Sequence, residues 1–174
     1  MVDYTPKPKE SSDDTPNLNR KTAYKRVIEI AQESSPQAFA ITRKYNEDLL
    51  KELGIGLIDN KAKAKIEMTF SSEDIKKYGI SNFYNRVIIP FDEHYFCGRS
   101  QNKNLKKKNL YPPKLKKQPY YIASKEEPLG LIIVEGETDA IAAKHIYPDY
   151  DIVSCGGVQT SIIGDLHNFL ELGI

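Results

Sequence analysis

The sequence predicts an α+β region followed by an α/β unit with a parallel sheet. Two observations predict this order. Apolar residues recur at helical spacing between residues 20 and 53, and a β-hairpin pattern follows between 86 and 99. Short apolar runs at 131–134 and 151–154 flank a helical segment, which is the strand, helix, strand order of a parallel unit. The 174 residues allow one domain or two small ones.

The N-terminal elements follow from helical spacing and from helix-ending residues. Residues 1–19 are polar and rich in Pro, Lys, Ser and Asp, which predicts a disordered tail or linker. Apolar residues at helical spacing predict a helix over residues 20–33, and Pro36 limits it. Two shorter helices are predicted at 36–44 and 46–53.

The middle of the chain predicts three elements. These are a strand at 54–58, a helix from Ser71 to Gly79, and a hairpin of strands at 86–91 and 95–99. Ser71 precedes two acidic residues, as is typical of a helix start. Gly79 can adopt the left-handed conformation that ends helices. Residues 59–69 contain an alternating Lys-Ala run, which we interpret as an exposed surface stretch without an assigned element.

The last fifty residues change character. The run at 131–134 is continuously apolar, as in buried parallel strands, and a turn at 135–137 follows it. Thr138 is predicted to cap a helix that runs to about His145. After the second strand at 151–154, the sequence predicts a flexible turn at Gly156-Gly157. A further helix is predicted from Thr160 to Gly173.

The formal net charge of +1 hides a strong asymmetry along the chain. Residues 94–125 carry nine basic side chains and no acidic one, whereas residues 126–174 carry nine acidic side chains and one basic one. Such lysine runs are most often solvated loops. Here aromatic residues are interleaved with the lysines, which favours a nucleic-acid strand as the binding partner, because lysines bind phosphates and aromatic rings stack on bases. The aromatic residues are Tyr95, Phe96, Tyr111, Tyr120 and Tyr121.

The sharpest local motif is Val-Glu-Gly-Glu-Thr-Asp at residues 134–139. Glu135 stands where an apolar strand ends, Gly136 allows a tight turn, and Asp139 falls in the first turn of the next helix. Two carboxylates at such an edge suit Mg²⁺, which is held by few protein oxygens together with water and phosphate. The alternative is that both acids only complement the helix dipole.

Composition excludes several classes of protein. The longest apolar run is four residues, far short of a membrane span, and the N-terminus lacks a signal-peptide pattern. Cys97 and Cys155 are the only cysteines, so neither a disulfide framework nor a zinc site is expected. Both thiols are predicted to be buried hydrophobes rather than nucleophiles. These features predict a cytoplasmic protein.

Residues 131–140, Leu-Ile-Ile-Val-Glu-Gly-Glu-Thr-Asp-Ala, resemble the opening motif of the TOPRIM domain, which topoisomerases and bacterial-type primases share. The glycine pair after the strand at 151–154 is similar to that family as well. Upstream, residues 86–91, Gly98-Arg99 and Pro113-Lys114 resemble the basic subdomain that precedes TOPRIM in bacterial and phage primases. The resemblance spans roughly residues 36–174.

The resemblance implies an α+β basic subdomain at residues 20–125 followed by a partial α/β TOPRIM subdomain at 126–174. It implies synthesis of RNA primers on single-stranded DNA from nucleoside triphosphates, with Mg²⁺ or Mn²⁺. By position, Glu135 and Asp139 would be catalytic acids that hold the metal. The groove for template or incoming nucleotide would be lined by Arg86, Arg99, Lys114 and the neighbouring Lys116.

The sequence also departs from the family pattern. The TOPRIM Asp-x-Asp pair, the zinc module and the part that would engage a replicative helicase have no counterpart in these 174 residues. We therefore expect a primase fragment with little activity alone, whose parallel sheet stops after its second strand-helix unit and leaves an apolar face uncovered. The divergent N-terminal region and lysine-rich loop favour a phage or another mobile element as the source.

Two other functions compete with the primase interpretation. Another TOPRIM enzyme, a nuclease or a topoisomerase, would use the same acids, although no tyrosine here has the context of a topoisomerase nucleophile. A non-catalytic module for binding single-stranded DNA or a replisome partner would use the basic segment alone. Dependence of nucleic-acid binding on divalent metal and on Glu135 separates the two classes.

Overall fold

The computed structural model describes residues 19–102, 104–116 and 118–155. Its helices are α1 Arg20–Gln32, α2 Gln37–Arg43, α3 Glu47–Glu52, α4 Asn60–Thr69, α5 Ser72–Tyr78 and α6 Glu137–Ile146, with a 3-10 turn at Ile80–Phe83. Its strands are β1 Gly56–Leu57, β2 Arg86–Pro90, β3 Phe96–Ser100, β4 Asn109–Leu110, β5 Tyr120–Ile122, β6 Leu131–Val134 and β7 Asp151–Ser154. The predicted tail, the glycine-pair turn and the last predicted helix lie outside the described residues.

The strands form two sheets. The first is antiparallel in the order β1-β2-β3-β4. The predicted hairpin lies at its centre, and the structure pairs Arg86 with Ser100 and Pro90 with Phe96. The second has the order β5-β7-β6, in which β6 and β7 are parallel and α6 is their crossover. The α+β region followed by a parallel unit is therefore confirmed.

Two hydrophobic clusters hold these layers together. The first cluster packs α1 and α4 on the antiparallel sheet and includes Tyr24, Ile66 and Phe96. The second cluster joins both sheets, because Val87 and Ile89 of β2 pack with residues of the second sheet and of α6, which are Tyr120, Ile122, Ala140, Ile141 and Ile152. The antiparallel sheet and the parallel unit therefore share a core, which fixes α6 relative to β2 and β3.

Helix α4 settles residues 59–69, to which the sequence assigned no element, and corrects the interpretation of their alternating Lys-Ala run as a wholly exposed stretch. Asp59 caps the helix by accepting a hydrogen bond from the Ala62 backbone N–H at 2.8 Å. Ala62 and Ile66, four residues apart, are its buried positions. The alternating lysines hid this helix, since only two apolar side chains reach the core, and the capping aspartate was the available signal.

The second sheet differs from prediction in three respects. Strand β6 is an edge strand of the described sheet, and its Ile133 is 46 % exposed, so it is not a fully buried strand. Helix α6 begins at Glu137 with Gly136 at the cap position, so Thr138 lies inside the helix and does not cap it. Strand β5 was not predicted. It pairs antiparallel with β7, with Tyr120 opposite Ser154 and Ile122 opposite Ile152.

The helices within the described ranges are all too short or too polar to cross a lipid bilayer.

Candidate functional site

The turn between β6 and α6 carries the predicted acids. Glu135 and Asp139 are exposed, while Glu137 between them is only 2 % exposed. A Cβ added to Gly136 would lie 3.3 Å from the Asp139 Oδ2 atom. The Asp139 carboxylate therefore folds back over the glycine, which places it on the same turn as Glu135. We call this turn, residues 135–139, the acidic turn.

The acidic turn has the donor chemistry that Mg²⁺ requires. Glu135 and Asp139 both offer hard carboxylate oxygens, and the space over Gly136 that the Asp139 carboxylate occupies depends on the absence of a side chain there. No group of three or more His, Cys, Asp or Glu side chains is placed to hold a metal among residues 19–102, 104–116 and 118–155. Two carboxylates are the kind of oxygen donors that Mg²⁺ accepts when water and phosphate oxygens complete its shell.

The buried acid of the turn, Glu137, reaches the antiparallel sheet. Its Oε1 accepts a hydrogen bond from the Tyr111 hydroxyl at 2.7 Å, and its Oε2 accepts one from Asn109 Nδ2 at 3.2 Å. Asn109 Oδ1 in turn accepts a hydrogen bond from Arg99 Nη1 at 2.6 Å. Arg99 and Asn109 are direct partners in the β3–β4 ladder, so their side chains lie on the same face. Hydrogen bonds thus connect the acidic turn to Arg99.

Arg99 lines a basic pocket of about 550 Å³ at the end of β3. Its cationic side chains are Arg43 of α2, Arg99 and Lys108, and its other lining residues are Phe39, Thr42, Ser100, Gln101 and Asn102. In the part of the chain that the structure describes, none of the three cations forms a salt bridge. Unpaired cations around one cavity favour an anionic ligand. We call this cavity the basic pocket.

Tyr45 joins the basic pocket to the acidic turn. Its hydroxyl donates a hydrogen bond to the Thr138 carbonyl in the first turn of α6, at 2.8 Å. Burial raises the pKa of Tyr45, and the charges that act on it include Arg43, Asp139 and Arg99. The hydrogen bonds from Glu137 through Asn109 to Arg99 therefore link the acidic turn to the basic pocket. Basic and acidic segments that are separate in the sequence are thus neighbours in the fold.

Arg86, the first basic residue predicted for the groove, is 9 % exposed. Its guanidinium donates to the carbonyls of Asn82 at 3.0 Å, Gly98 at 3.2 Å and Lys108 at 2.9 Å. Burial lowers the pKa of Arg86. Through these contacts the Arg86 side chain stabilises the backbone of β3 and of the segment at Lys108. Arg86 is not among the residues that line the basic pocket.

We expect Arg86→Met to destabilise the fold by about 2 kcal/mol, because the buried hydrogen bond to the Gly98 carbonyl and the partly buried ones to the Asn82 and Lys108 carbonyls are lost. Urea unfolding followed by circular dichroism measures the change. The exposed pair formed by Arg26 and Glu29 supplies the control, and Arg26→Met should cost less than about 0.5 kcal/mol. If Arg86→Met kept its stability and instead lost affinity for nucleic acid, the sequence prediction of a ligand contact would be supported.

Lys114 and Lys116 are exposed, and Lys114 has a left-handed backbone with φ of 62°. Their loop is anchored on the helical side of the fold, where Arg20 of α1 donates to the Pro113 carbonyl at 3.3 Å. Neither lysine is among the residues that line the basic pocket. The assignment of these two lysines to a nucleic-acid surface stays a prediction.

The interleaved aromatic residues are mostly core residues, which corrects the prediction that they stack on bases. Tyr95, Phe96 and Tyr120 are at most 3 % exposed. Tyr111 stacks on Tyr95 at 6.2 Å between ring centroids, and Phe91 stacks on Tyr120 at 4.9 Å. Because Tyr95, Phe96 and Tyr120 are buried in the core, they are not available to stack on a nucleic acid.

Both cysteines are buried, as predicted. Burial, followed by the nearby charge of Glu137, raises the pKa of the Cys97 thiol. A protonated thiol inside the core is a poor nucleophile.

Sequence reasoning gave no site role to Arg43, Tyr45, Asn109 and Glu137. It counted Lys108 only as one of nine basic residues and interpreted Tyr111 as a base-stacking ring, not as a partner of Glu137. Glu137 stood inside the motif but was interpreted only as part of the turn. Arg43 lies more than fifty residues from Arg99, so only the packing of α2 against the sheet brings them together. The alternation of Asn109 and Tyr111 along extended backbone was the available signal for two partners of one acid.

No protein-family model matches the sequence, and no curated protein matches it significantly. Solved structures do match. The chain is similar to the Aquifex aeolicus primase, zinc-binding and RNA polymerase domains, with a TM-score of 0.63, 15% identity, and coverage of 89% of this chain and 46% of that one. The E. coli primase catalytic core matches with a TM-score of 0.62 and 18% identity over 87% of this chain and 59% of that one.

A DnaG primase catalytic domain bound to single-stranded DNA matches with a TM-score of 0.60 and 18% identity, covering 86% of this chain and 60% of that one. At these identities the likeness shows the fold, so the chain has the fold of a primase catalytic core. The chain spans 46–60% of the length of these three structures.

Proposed function

We propose that this chain is the part of a DNA primase that binds single-stranded DNA in its basic pocket and a divalent cation at its acidic turn. The primase would synthesise RNA primers from nucleoside triphosphates. One observation carries the proposal, namely that Glu137 of the acidic turn is linked by hydrogen bonds through Asn109 to Arg99 of the basic pocket. The shared fold with primase catalytic cores supports the same conclusion.

In this proposal the basic residues bind the nucleic-acid strand and the acidic residues bind the cation. Arg43, Arg99 and Lys108 supply unpaired cations that neutralise phosphates of the strand. Glu135 and Asp139 would hold Mg²⁺ or Mn²⁺, which when bound would neutralise triphosphate charge and stabilise in-line displacement. Tyr45 and the Glu137 carboxylate fix the first turn of α6, so that the acids stay next to the bound strand. The proposal therefore needs both surfaces at once.

Two assays test the proposal on the full 174-residue chain. Fluorescence anisotropy with a labelled single-stranded oligodeoxythymidylate measures binding, and we expect affinity to fall as salt rises. A matched duplex of the same sequence is the control ligand, and it should bind more weakly. An assay of ribonucleotide incorporation on a single-stranded template, with and without Mg²⁺, measures synthesis. Absence of any oligonucleotide binding would contradict the proposal.

We expect Glu135→Gln and Asp139→Asn each to weaken Mn²⁺ binding by at least about tenfold, because each variant removes one charged ligand of a site that has few. Electron paramagnetic resonance of free Mn²⁺ measures the effect. Gly136→Ala should act in the same direction, since its Cβ would crowd the Asp139 carboxylate at 3.3 Å. Glu127→Gln, on an exposed loop, is the matched control and should leave Mn²⁺ binding unchanged.

The chief alternative, a non-catalytic binding module, makes the opposite prediction for the same variants. Its oligonucleotide binding would be the same with and without Mg²⁺ and would survive Glu135→Gln. That result, together with Mn²⁺ binding that no variant of the acidic turn alters, would replace the enzyme proposal with the binding module.

A further inference from the structure

Glu137 is the one acid of the turn that the structure buries, and its burial needs explaining. A carboxylate removed from water is costly unless hydrogen bonds compensate it. Glu137 accepts hydrogen bonds from Tyr111 and Asn109, both of which come from the antiparallel sheet and its following residue. The side chain therefore bonds to the basic region, whereas Glu135 and Asp139 are exposed.

The direction of the hydrogen bonds determines how Asn109 is oriented. A guanidinium can only donate, and a carboxylate can only accept. Asn109 satisfies both neighbours in a single orientation, with Oδ1 toward Arg99 at 2.6 Å and Nδ2 toward Glu137 at 3.2 Å. Glu137 thereby selects the amide orientation that presents an acceptor to Arg99. We call the chain Glu137, Asn109, Arg99 the polar relay.

We propose that Glu137 is a positioning residue, which acts through Asn109 to hold the Arg99 guanidinium in the basic pocket. The relay itself rests on the hydrogen bonds, and its consequence for nucleic-acid binding rests on the proposed function. Arg99 is only partly buried and forms no salt bridge within the described ranges, so Asn109 is the anchor that limits its rotamers. A single orientation of Arg99 lowers the entropy lost when it meets a phosphate.

Two variants test the relay: Glu137→Gln alone, and Glu137→Gln combined with Asn109→Asp. In Glu137→Gln, the new side chain has both a donor and an acceptor, so Asn109 is free to turn and Arg99 loses its fixed acceptor. We expect about fivefold weaker binding of the labelled oligodeoxythymidylate near ~0.1 M salt, and a slope of log affinity against log salt that falls by about 0.7, the value of one phosphate contact.

The double variant Asn109→Asp with Glu137→Gln keeps the net charge and restores a directed chain. The carboxylate introduced at position 109 would accept from Arg99 and from the amide introduced at position 137, whose oxygen would accept from Tyr111. We expect the affinity and salt slope of this variant to return to within about twofold of the parent chain. Glu127→Gln is the control, because it makes the same change of charge on an exposed loop outside the relay; its salt slope should equal that of the parent.

A second readout separates the relay from the proposed function. The side-chain ¹⁵N resonances of Arg99 should shift in Glu137→Gln and recover in the double variant, whether or not the chain binds DNA. A parent chain that binds no oligonucleotide but shows this spectral pattern would overturn the proposed function and support the relay. Unchanged Arg99 resonances in Glu137→Gln, or no recovery in the double variant, would overturn the relay. If Glu137→Gln does not fold, the double variant decides alone, since parent-like resonances support the relay and altered ones refute it.

Discussion

Gly56→Ala is expected to destabilise the protein by about 4 kcal/mol or more, a cost reserved for substitutions that force backbone to move. A Cβ at residue 56 would stand 2.2 Å from the Ala31 carbonyl oxygen and 2.6 Å from the Gln32 backbone nitrogen. Both atoms belong to the last turn of α1, so no side-chain rotation relieves the clash. Helix α1 must move away from β1, and the first hydrophobic cluster opens with it.

Urea unfolding followed by circular dichroism measures this loss, and thermal unfolding checks its direction. Gly130→Ala is the matched control, because its Cβ would meet only the Tyr150 ring, at 3.3 Å, and a ring can shift. We expect the control to cost less than about 1 kcal/mol. If Gly56→Ala unfolded at the parent's urea midpoint, the close packing of α1 against β1 would be wrong.

The elements that the sequence predicted well are those whose signals are local. Ser71 caps α5 and Gly79 ends it with φ of 67°, because a hydroxyl acceptor and a glycine determine helix ends without help from the rest of the chain. The hairpin of β2 and β3 and the parallel pair of β6 and β7 follow from apolar runs of strand length. Strand β5 escaped prediction because it is three residues long and is defined by its pairing with β7.

The candidate site was predictable only in part, and the reason is again the range of the interactions. Glu135 and Asp139 could be named because the motif places both acids at one turn. The basic residues of the site could not be identified in the same way, because the sequence does not reveal which of the nine cations in one segment lie near the acids. Arg86 proved to be braced by backbone carbonyls, whereas Arg43, outside the basic segment, lines the basic pocket.

Reversal of two cations in the basic pocket, Arg43→Glu with Lys108→Glu, is expected to weaken binding of a single-stranded oligodeoxythymidylate by about 100-fold near ~0.1 M salt. Both side chains are exposed and line the pocket, and neither belongs to the polar relay. Each phosphate interaction that is removed lowers the salt slope for a single strand by about 0.7, which is about fivefold in affinity at that salt concentration. Removal of two such interactions accounts for about 25-fold, and the repulsion between the new carboxylates and phosphate supplies the rest.

Anisotropy titrations at several salt concentrations separate this local effect from a change in total charge. The control, Lys21→Glu with Lys61→Glu, makes the same change in net charge on the exposed surfaces of α1 and α4. If the strand lies in the basic pocket, only the pocket variant should lose about 1.4 from the salt slope, twice the value of one phosphate interaction. Equal losses in the two variants would mean that the chain attracts DNA through its overall charge. In that case the acidic turn would have no bound strand beside it, and the primase proposal would lose its structural basis.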